Sequence, residues 1–318
     1  MRPFEYATPT TKEQAEVLAG GTDLLSLMKD DVVRPKRLVS ISQLQGLDGA
    51  ARDGQLQLSA LTTLAELADN VNVVKDYPAL AEAINDAASP QIRNMATLGG
   101  NLCQRPRCWY FRGGFGLLPK DESGKDLAAA GDNRYHAILG NDGPAKFVSP
   151  SSIVPALIAY GAKVQLFGPK GSRELPLENF YVIPKAEGER EHDLKPNEIV
   201  TGVILPAPDK ELRVAHYEIR QKAAFDWPLA VAAVALRMSG SRLQQARVVM
   251  GYVAPVPWVS ADAAQVLTSK NFSEDLAMAA ATAALANAKP LSQNVYKVQL
   301  ARVAVKRAIL KAVAGGAA

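Results

Sequence analysis

The chain has 318 residues, of which 48% are hydrophobic and 21% charged, an ordinary globular composition with enough length for two domains. Its formal net charge of +4 is small and its basic residues are scattered among acidic ones, which argues against a nucleic-acid partner. The longest apolar run, 229–236, falls short of the roughly 18 residues that a membrane span requires, and the N-terminus lacks the apolar core of an export signal.

Short helices and strands alternate in the first part of the chain. Residues 11–17 have room for barely two helical turns before the first pair of glycines. Hydrophobic spacing and capping residues then predict a helix at 24–28, strands at 37–41 and 54–61, and helices at 63–69 and 78–88. Ser89-Pro90 ends the last of these, because the residue before a proline avoids the helical conformation.

Two pairs of adjacent glycines mark turns in which the backbone approaches a ligand closely. Gly20-Gly21 lies before a Leu-rich run, and Gly99-Gly100 follows Thr97 and precedes Asn101. Glycine has no Cβ, so the backbone can adopt positive φ and come near a bound group. One such pair is more often a plain turn, but two of them suit an elongated anion such as a pyrophosphate.

A basic and aromatic segment follows the second glycine pair. Residues 113–145 continue it with many Gly, Lys and Asp and little periodicity, and loops of this length are usually functional or disordered. Cys103 and Cys108 are the only cysteines, too few for a disulfide framework or a complete zinc or iron-sulfur ligand set, and are interpreted as free thiols.

Regular patterns return at residue 149. They predict a helix at 153–160, a strand at 163–167, a turn at 168–171, a charged loop at 184–197 and a strand at 199–205. The join rich in proline at 206–208 is the expected domain boundary. Beyond it, strands at 215–221, 229–238 and 246–253 precede helices at 260–267, 273–288 and 295–314, which should cover one face of the sheet.

The two glycine loops, AGGTDL at 19–24 and RNMATLGGN at 93–101, resemble those of the FAD-binding medium subunit of the molybdenum hydroxylases, the family of xanthine dehydrogenase and carbon monoxide dehydrogenase. The resemblance covers nearly the whole chain, and further landmarks lie in the expected order. These landmarks are the segments 150–157, 175–180, 197–200, 217–228 and 296–297. The resemblance implies an α+β fold: a two-part FAD-binding domain of the vanillyl-alcohol-oxidase-like type at 1–206, then a smaller domain of sheet and helices at 207–318.

The resemblance also implies which residues bind FAD. Backbone N–H groups of the first loop would hold the pyrophosphate, the second loop would complete the cradle, and two apolar residues would line the ring. The implied set is Leu18, Ala19, Gly20, Gly21, Thr22, Asp23, Leu24, Leu25, Thr97, Gly99, Gly100, Asn101, Ser152, Ile199, Val200 and Glu218. The other interpretation of Thr22 and Asp23 is that they cap the following helix, and ordinary core packing is the alternative for Ile199 and Val200. No catalytic acid or base is predicted, because the flavin ring itself carries out the redox step. No metal ligand is predicted, since His136, His192 and His216 are far apart in the sequence.

Two of these positions depart from the family pattern. Ser152 stands where many relatives have Asp, and its hydroxyl makes a weaker hydrogen bond than a carboxylate. Glu218 stands where many have Lys, and would disfavour the anionic reduced flavin if it faced the ring. Arg220 or Lys222 would then supply the positive charge, and for each of these three residues an exposed strand position is the alternative.

The insert at 103–145 also departs from its counterparts. In aldehyde-oxidising relatives a similar insert holds a [4Fe-4S] cluster on four cysteines, whereas here only Cys108 remains and Leu118, Leu127 and Ala145 fall near the other sites. The cluster is therefore predicted to be absent, with the segment 133–137 still folding onto the body. Its basic and aromatic residues are interpreted as an interface, with a loop packed on its own domain as the alternative. They are Arg105, Arg107, Trp109, Tyr110, Phe111 and Arg112.

The expected function is electron transfer by the FAD subunit of a heterotrimeric molybdenum-dependent oxidoreductase. The partners would be a [2Fe-2S] subunit and a molybdopterin subunit that oxidises an aldehyde or heterocycle, and FAD would pass electrons to an external acceptor. The complex would be cytoplasmic, or periplasmic if exported with a partner that bears a signal. A stand-alone flavin oxidase and a flavin-free scaffold subunit remain as alternatives.

Overall fold

The computed structural model describes residues 2–7, 16–44, 53–221 and 226–315, within which twelve strands, twelve α-helices and one 3₁₀ helix (Leu177–Asn179) are assigned. The strands are β1 (Glu5–Ala7), β2 (Glu16–Leu18), β3 (Arg37–Ser40), β4 (Leu56–Ser59), β5 (Lys163–Gly168), β6 (Gly171–Pro176), β7 (Ile199–Leu205), β8 (Leu212–Arg220), β9 (Pro228–Ser239), β10 (Arg242–Gly251), β11 (Trp258–Val259) and β12 (Lys270–Asn271). The helices are α1 (Leu24–Lys29), α2 (Leu64–Ala68), α3 (Val71–Asp76), α4 (Pro78–Asp86), α5 (Pro90–Arg93), α6 (Leu98–Leu102), α7 (Trp109–Arg112), α8 (Leu127–Ala130), α9 (Ile153–Ala159), α10 (Ala261–Leu267), α11 (Glu274–Ala283) and α12 (Tyr296–Val313).

Three sheets organise the molecule. A parallel sheet in the order β1-β3-β2 lies near the N-terminus, and an antiparallel sheet in the order β4-β7-β5-β6 follows. The C-terminal sheet has the order β11-β10-β9-β8, with β12 paired to β10. No helix in the described ranges combines the length and the hydropathy needed to cross a bilayer. The α+β fold class expected from the sequence is confirmed.

Strand β9 is buried on both faces, which explains its uninterrupted apolar sequence. Ala233 and Ala235 belong to a core shared with α4, α9 and the β4-β7-β5-β6 sheet. Val234 and Leu236 point the other way, into a core built with α10, α11 and α12. Because successive side chains alternate across a strand, this one segment joins the N-terminal and C-terminal parts of the chain.

Local sequence signals account for most helix starts. Thr63 begins α2 with a full capping box, in which its side chain accepts from Glu66 N and the Glu66 carboxylate accepts from Thr63 N. Helix α11 ends at Ala283 rather than at residue 288, because Leu285 N and Ala286 N bond three residues back and tighten the chain into turns.

Several strands lacked a sequence signal. Strand β6 is exposed or half-buried along its whole length, so it has no apolar alternation, and β10 begins four residues before the predicted strand because its first half is largely solvent-facing. Strands β1 and β2 are only three residues long. The short helix considered at 11–17 lies mostly outside the described residues, and residues 16 and 17 begin β2.

The insert folds back onto the C-terminal part, as expected for 133–137. Asn133 is fully buried; its amide donates to Ser292 Oγ at 3.0 Å and its carbonyl accepts from Gln293 N at 2.9 Å. Lys297 Nζ donates to the backbone carbonyls of His136 at 3.0 Å and Tyr252 at 2.7 Å. These bonds tie the insert to the start of α12.

Candidate cofactor-binding site

A cavity of about 590 Å³ lies where the two glycine loops meet the loop that precedes β7, a volume within the range of cofactor sites. The segments 17–24 and 194–200 line it, together with Leu27, Val33, Ile41, Ala60, Thr97, Gly99, Gly100, Cys103, Gln104, Arg105, Gly188, Arg190 and His192. Twelve of the sixteen residues that the sequence singled out are therefore brought to one cavity: Leu18, Ala19, Gly20, Gly21, Thr22, Asp23, Leu24, Thr97, Gly99, Gly100, Ile199 and Val200.

The first glycine loop presents unpaired backbone donors to this cavity. Among the described residues, the N–H groups of Gly20, Gly21, Thr22 and Asp23 donate to no acceptor. Gly21 has φ +72°, a conformation that favours glycine. Consecutive free N–H groups in a turn form a site for an anion, since they supply positive partial charge without a charged side chain.

Gly20 allows the two glycine loops to touch. A Cβ at Gly20 would lie 1.7 Å from the carbonyl oxygen of Met95, a residue of the second loop. The absence of a side chain at Gly20 thus serves the contact between the loops rather than ligand contact.

The second glycine loop forms a wall with its own hydrogen bonds already made. Thr97 Oγ1 accepts from Gly100 N at 3.1 Å, and Gly99 N donates to Ala60 O at 2.8 Å. Gly100 is exposed, and an added Cβ would meet only Thr97 Oγ1, at 3.0 Å. Of the two glycines in this loop, Gly100 is therefore the one that leaves space for a ligand.

The side chain of Asp23 binds the insert, although the residue also lines the cavity. Its carboxylate accepts from Arg105 N at 2.7 Å, from Arg107 Nη1 at 2.6 Å and from Arg112 Nη2 at 2.8 Å. The Asp23 side chain is only 16% exposed. It therefore fixes the position of the first glycine loop relative to the insert, whereas the helix-capping alternative does not hold, since Asp23 makes no side-chain cap bond.

Arg105, Arg107 and Arg112, the arginines at the start of the insert, make contacts within the chain. Arg105 pairs with the buried Glu191 at 2.5 Å and lies over the ring of Phe111, while Arg107 stacks on Trp227. Their side chains are 17% and 25% exposed, so the arginines interpreted as an interface face inward. The geometry favours packing within the chain over an interface, but this packing is not confined to the insert's own domain, since Trp227 belongs to the C-terminal part.

The third wall of the cavity supplies residues that the sequence analysis did not assign. His192 is 5% exposed and stacks on Phe180, with 5.3 Å between ring centroids, and neither of its ring nitrogens has a hydrogen-bond partner among the described residues. Arg190 is exposed on the cavity and has no acidic partner in the described part of the chain. The charged loop at 184–197 was the sequence signal for this wall, because long polar loops often carry function.

Burial keeps two titratable groups of the cavity wall, His192 and Cys103, in their neutral forms. Burial, with the nearby Arg190 charge, lowers the pKa of His192 to about 4. Burial raises the pKa of the Cys103 thiol to about 12. At neutral pH the wall therefore presents an imidazole and a thiol.

Four predicted residues lie outside the cavity. Leu25 packs behind Gly21, and Asn101 Oδ1 accepts from Ser151 Oγ at 2.6 Å. The buried Ser152 hydroxyl lies 3.3 Å from the Tyr252 hydroxyl. Glu218 pairs with Arg220, so this arginine is engaged too, and Lys222 lies outside the described residues.

Two family models together match nearly all of the chain. The FAD binding domain in molybdopterin dehydrogenase matches residues 5–208, and the CO dehydrogenase flavoprotein C-terminal domain matches residues 215–312. The chain belongs to this flavoprotein family. The recognition made from the two glycine loops is confirmed, and FAD is the cofactor of this family of oxidoreductase subunits.

Full-length relatives agree with this flavoprotein assignment. The aldehyde oxidoreductase FAD-binding subunit PaoB of Escherichia coli (strain K12) is 33% identical, with 95% of this chain and 96% of the relative covered. The carbon monoxide dehydrogenase medium chain of Hydrogenophaga pseudoflava is 28% identical over 96% of both chains. A structure of carbon monoxide dehydrogenase from that organism, which lacks the Mo-pyranopterin moiety, superimposes with a TM-score of 0.77 at 26% identity over 99% of both chains.

The cavity of this flavoprotein fits FAD on the geometry of its own residues. The free N–H groups at 20–23 and the unpaired Arg190 charge suit a pyrophosphate, and the buried His192 nitrogens lack partners that a polar ligand would supply. When bound, FAD supplies the redox chemistry, and the protein holds and orients it.

Titration of His192 should make the stability of the protein depend on pH. Its folded pKa of about 4 lies below the unfolded value of 6.5, so the unfolded state binds more protons between these values. The folded state is therefore fully stabilised against protonation of His192 only above about pH 6.5. As pH falls from about 6.5 towards 4, the free energy of unfolding should decrease by at most about 1.4 kcal/mol per pH unit. Urea denaturation of the wild type and His192→Asn at pH 7 and pH 5 measures it.

The comparison isolates His192 because other groups titrate alike in both proteins. The stability difference between His192→Asn and the wild type should shift in favour of the variant at pH 5. An identical difference at both pH values would show that His192 does not remain neutral in the folded state.

Proposed function

We propose that this chain is the electron-transferring FAD subunit of a molybdenum hydroxylase complex. A [2Fe-2S] subunit delivers electrons to its FAD, and a molybdopterin subunit that oxidises an aldehyde or heterocycle supplies them. FAD passes them to an external acceptor. Residues 1–206 bind the flavin, and residues 207–318 complete the subunit.

The state of the ionisable groups around the cavity carries the proposal. His192 is neutral and poorly basic, Cys103 stays a thiol, and the Asp23 carboxylate is held by three donors. The remaining lining acid, Glu198, accepts two bonds from Arg173, which lowers its pKa. Of the lining cations, Lys195 pairs with Asp193, and the arginines stay protonated.

No group of the described cavity wall is therefore poised to take a proton from a substrate. A stand-alone oxidase that abstracts a proton would need a base with a pKa near the operating pH. A subunit that only holds FAD between an electron donor and an acceptor needs none. The names of the relatives favour the same conclusion, because they describe FAD-binding subunits and medium chains of larger enzymes.

The binding residues have separate roles in this proposal. The N–H groups of the first glycine loop and Arg190 hold the pyrophosphate, and Gly100 leaves room beside it. His192 offers a ring nitrogen to a polar part of the cofactor, and Ile199 and Val200 contribute apolar wall. Ser152 and Glu218 lie outside the cavity, so contact between either of them and the ring would require a rearrangement of their side chains.

Separate and joint expression of the subunits tests the proposal. The chain purified alone should contain FAD, yet aldehydes or purines should not bleach its flavin absorbance under anaerobic conditions. Bleaching should appear when the chain is co-expressed with an iron-sulfur subunit and a molybdenum subunit. Co-expression with the molybdenum subunit alone is the control and should remain inactive.

The two alternative functions give different results in the same experiment. A stand-alone oxidase would bleach its flavin when substrate is added to the lone chain. A scaffold subunit would carry no FAD in either preparation. Either result would overturn electron transfer through this chain.

A further inference from the structure

We propose that Asp86, His216 and Glu218 bind a divalent metal ion of the zinc type at the junction between helix α4 and strand β8. This site would be separate from the FAD cavity, since none of the three residues lines it. It would connect the helical layer of the N-terminal part to the C-terminal sheet.

The fold brings the three side chains together from distant parts of the sequence. His216 and Glu218 are two residues apart on β8 and therefore point to the same face of the strand, the face that packs against α4. Asp86 is the last residue of α4, where the carbonyl end of the helix adds negative potential. One ligand atom of each residue lies within 4.8 Å of the others.

The imidazole of His216 is the observation that points to a ligand. His216 is fully buried, and neither ring nitrogen has a hydrogen-bond partner among the described residues. Its Nε2 lies 3.8 Å from Glu218 Oε2, a buried oxygen that also lacks a hydrogen-bond partner. Buried polar atoms are normally paired, so a ring nitrogen and a carboxylate oxygen that lie next to each other without partners leave a place for a group that binds both.

The donor set suits zinc in particular. Zinc takes His nitrogen at about 2.0–2.1 Å and carboxylate oxygen at about 2.0–2.2 Å, with water in the remaining position. Donors of a tetrahedral zinc ion lie about 3.4 Å apart. The 3.8 Å between His216 Nε2 and Glu218 Oε2 therefore needs to close by about 0.4 Å, and a separation at the 4.8 Å limit of the cluster needs to close by about 1.4 Å. Softer metals prefer thiolates, and magnesium and calcium prefer oxygen ligands alone.

The surrounding charges leave the cluster net negative. Arg220 donates to Glu218 through Glu218 Oε1 and to the backbone carbonyl of Asp86, so one cation faces two carboxylates. Burial and the neighbouring Glu218 charge raise the pKa of Asp86, which reflects the cost of placing the two acids together. Glu218 Oε2 remains available on the side away from its bond to Arg220.

Zinc titration of the purified full chain tests the site. After treatment with a chelator, the wild type should bind one zinc ion per chain in competition with a chromophoric chelator. Asp86→Asn and Glu218→Gln, which preserve side-chain shape, should each weaken that binding by about tenfold or more, since each removes a charged ligand. X-ray absorption at the zinc edge should show nitrogen and oxygen ligands without the Zn–S distance of about 2.3 Å.

Glu178→Gln is the matched control. Glu178 also pairs with an arginine, Arg247, at a half-exposed position outside the three-residue cluster. Its substitution should leave zinc affinity unchanged. No saturable binding, an equal loss in Glu178→Gln, or sulfur in the coordination shell would each overturn the proposal.

Discussion

Replacing Gly100 with Val should remove FAD from a chain that still folds. Gly100 lies in α6 with an ordinary helical φ, and Val is a better helix residue than Gly. An added Cβ meets only Thr97 Oγ1, so the two methyl groups extend towards the cavity that Gly100 lines. Overpacking of this kind should weaken FAD binding by about 100-fold, or roughly 2.7 kcal/mol.

The measurement is the flavin content and the FAD dissociation constant of the purified variant, with circular dichroism as the test of folding. Gly143→Val is the control, because Gly143 is exposed and a Cβ added there would have no heavy atom within 4 Å. The control should retain its flavin. Stoichiometric FAD in Gly100→Val would contradict the assignment of this cavity.

Substitution at Gly20 would not give the same information. A Cβ there overlaps the backbone oxygen of Met95 at 1.7 Å, so Gly20→Ala should displace one loop from the other whether or not FAD is bound. The sequence alone does not distinguish these two glycines. Both stand in a pair followed by a polar residue. Only the tertiary contacts show that Gly20 allows the two loops to pack together and that Gly100 leaves room for a ligand.

The parts of the fold that were predicted have strong local signals. The capping box at Thr63 and the long apolar run of β9 identify their elements without knowledge of the rest of the chain. Strand β6 has no such signal because neither face of it is buried, and its pairing with β5 is a tertiary event. The hydrophobic pattern of a sequence reflects which residues are buried, so it does not identify a solvent-exposed strand.

The candidate site likewise has one part that the sequence predicted and one part that it did not. The glycine loops were visible because their composition is unusual, whereas the wall containing Arg190 and His192 comes from a loop without a motif. The three histidines are far apart in the sequence, yet the packing of β8 against α4 places His216 beside the carboxylates of Asp86 and Glu218. Proximity across the fold cannot be read from spacing along the chain.

Asp23 shows how contacts with the insert can fix the position of a ligand-binding loop. The first glycine loop supplies the free N–H groups, and its position depends on the carboxylate that accepts from Arg105, Arg107 and Arg112. These contacts with the insert therefore hold the first glycine loop in position. The side chain of Asp23 thus contacts the insert, while its backbone N–H group, which the sequence analysis assigned to the pyrophosphate, has no acceptor among the described residues.

Asp23→Ala should consequently destabilise the chain and weaken FAD binding together. Removal of the carboxylate leaves two largely buried guanidinium groups without their acidic partner, and breaking a buried pair in this way costs about 3 kcal/mol. Asp23→Asn, which keeps one acceptor oxygen, should lie between Asp23→Ala and the wild type. Urea denaturation with and without added FAD measures both effects.

Stability measured without FAD distinguishes the effect of Asp23→Ala from that of Gly100→Val. Asp23→Ala should unfold at lower urea than the wild type even when FAD is absent, whereas Gly100→Val should lose only the stabilisation that bound FAD adds. Asp30→Ala is the control, because Asp30 ends the same helix, is exposed and has no side-chain partner among the described residues. An FAD-free Asp23→Ala chain as stable as Asp30→Ala would show that the contacts between Asp23 and the insert do not hold the first glycine loop in place.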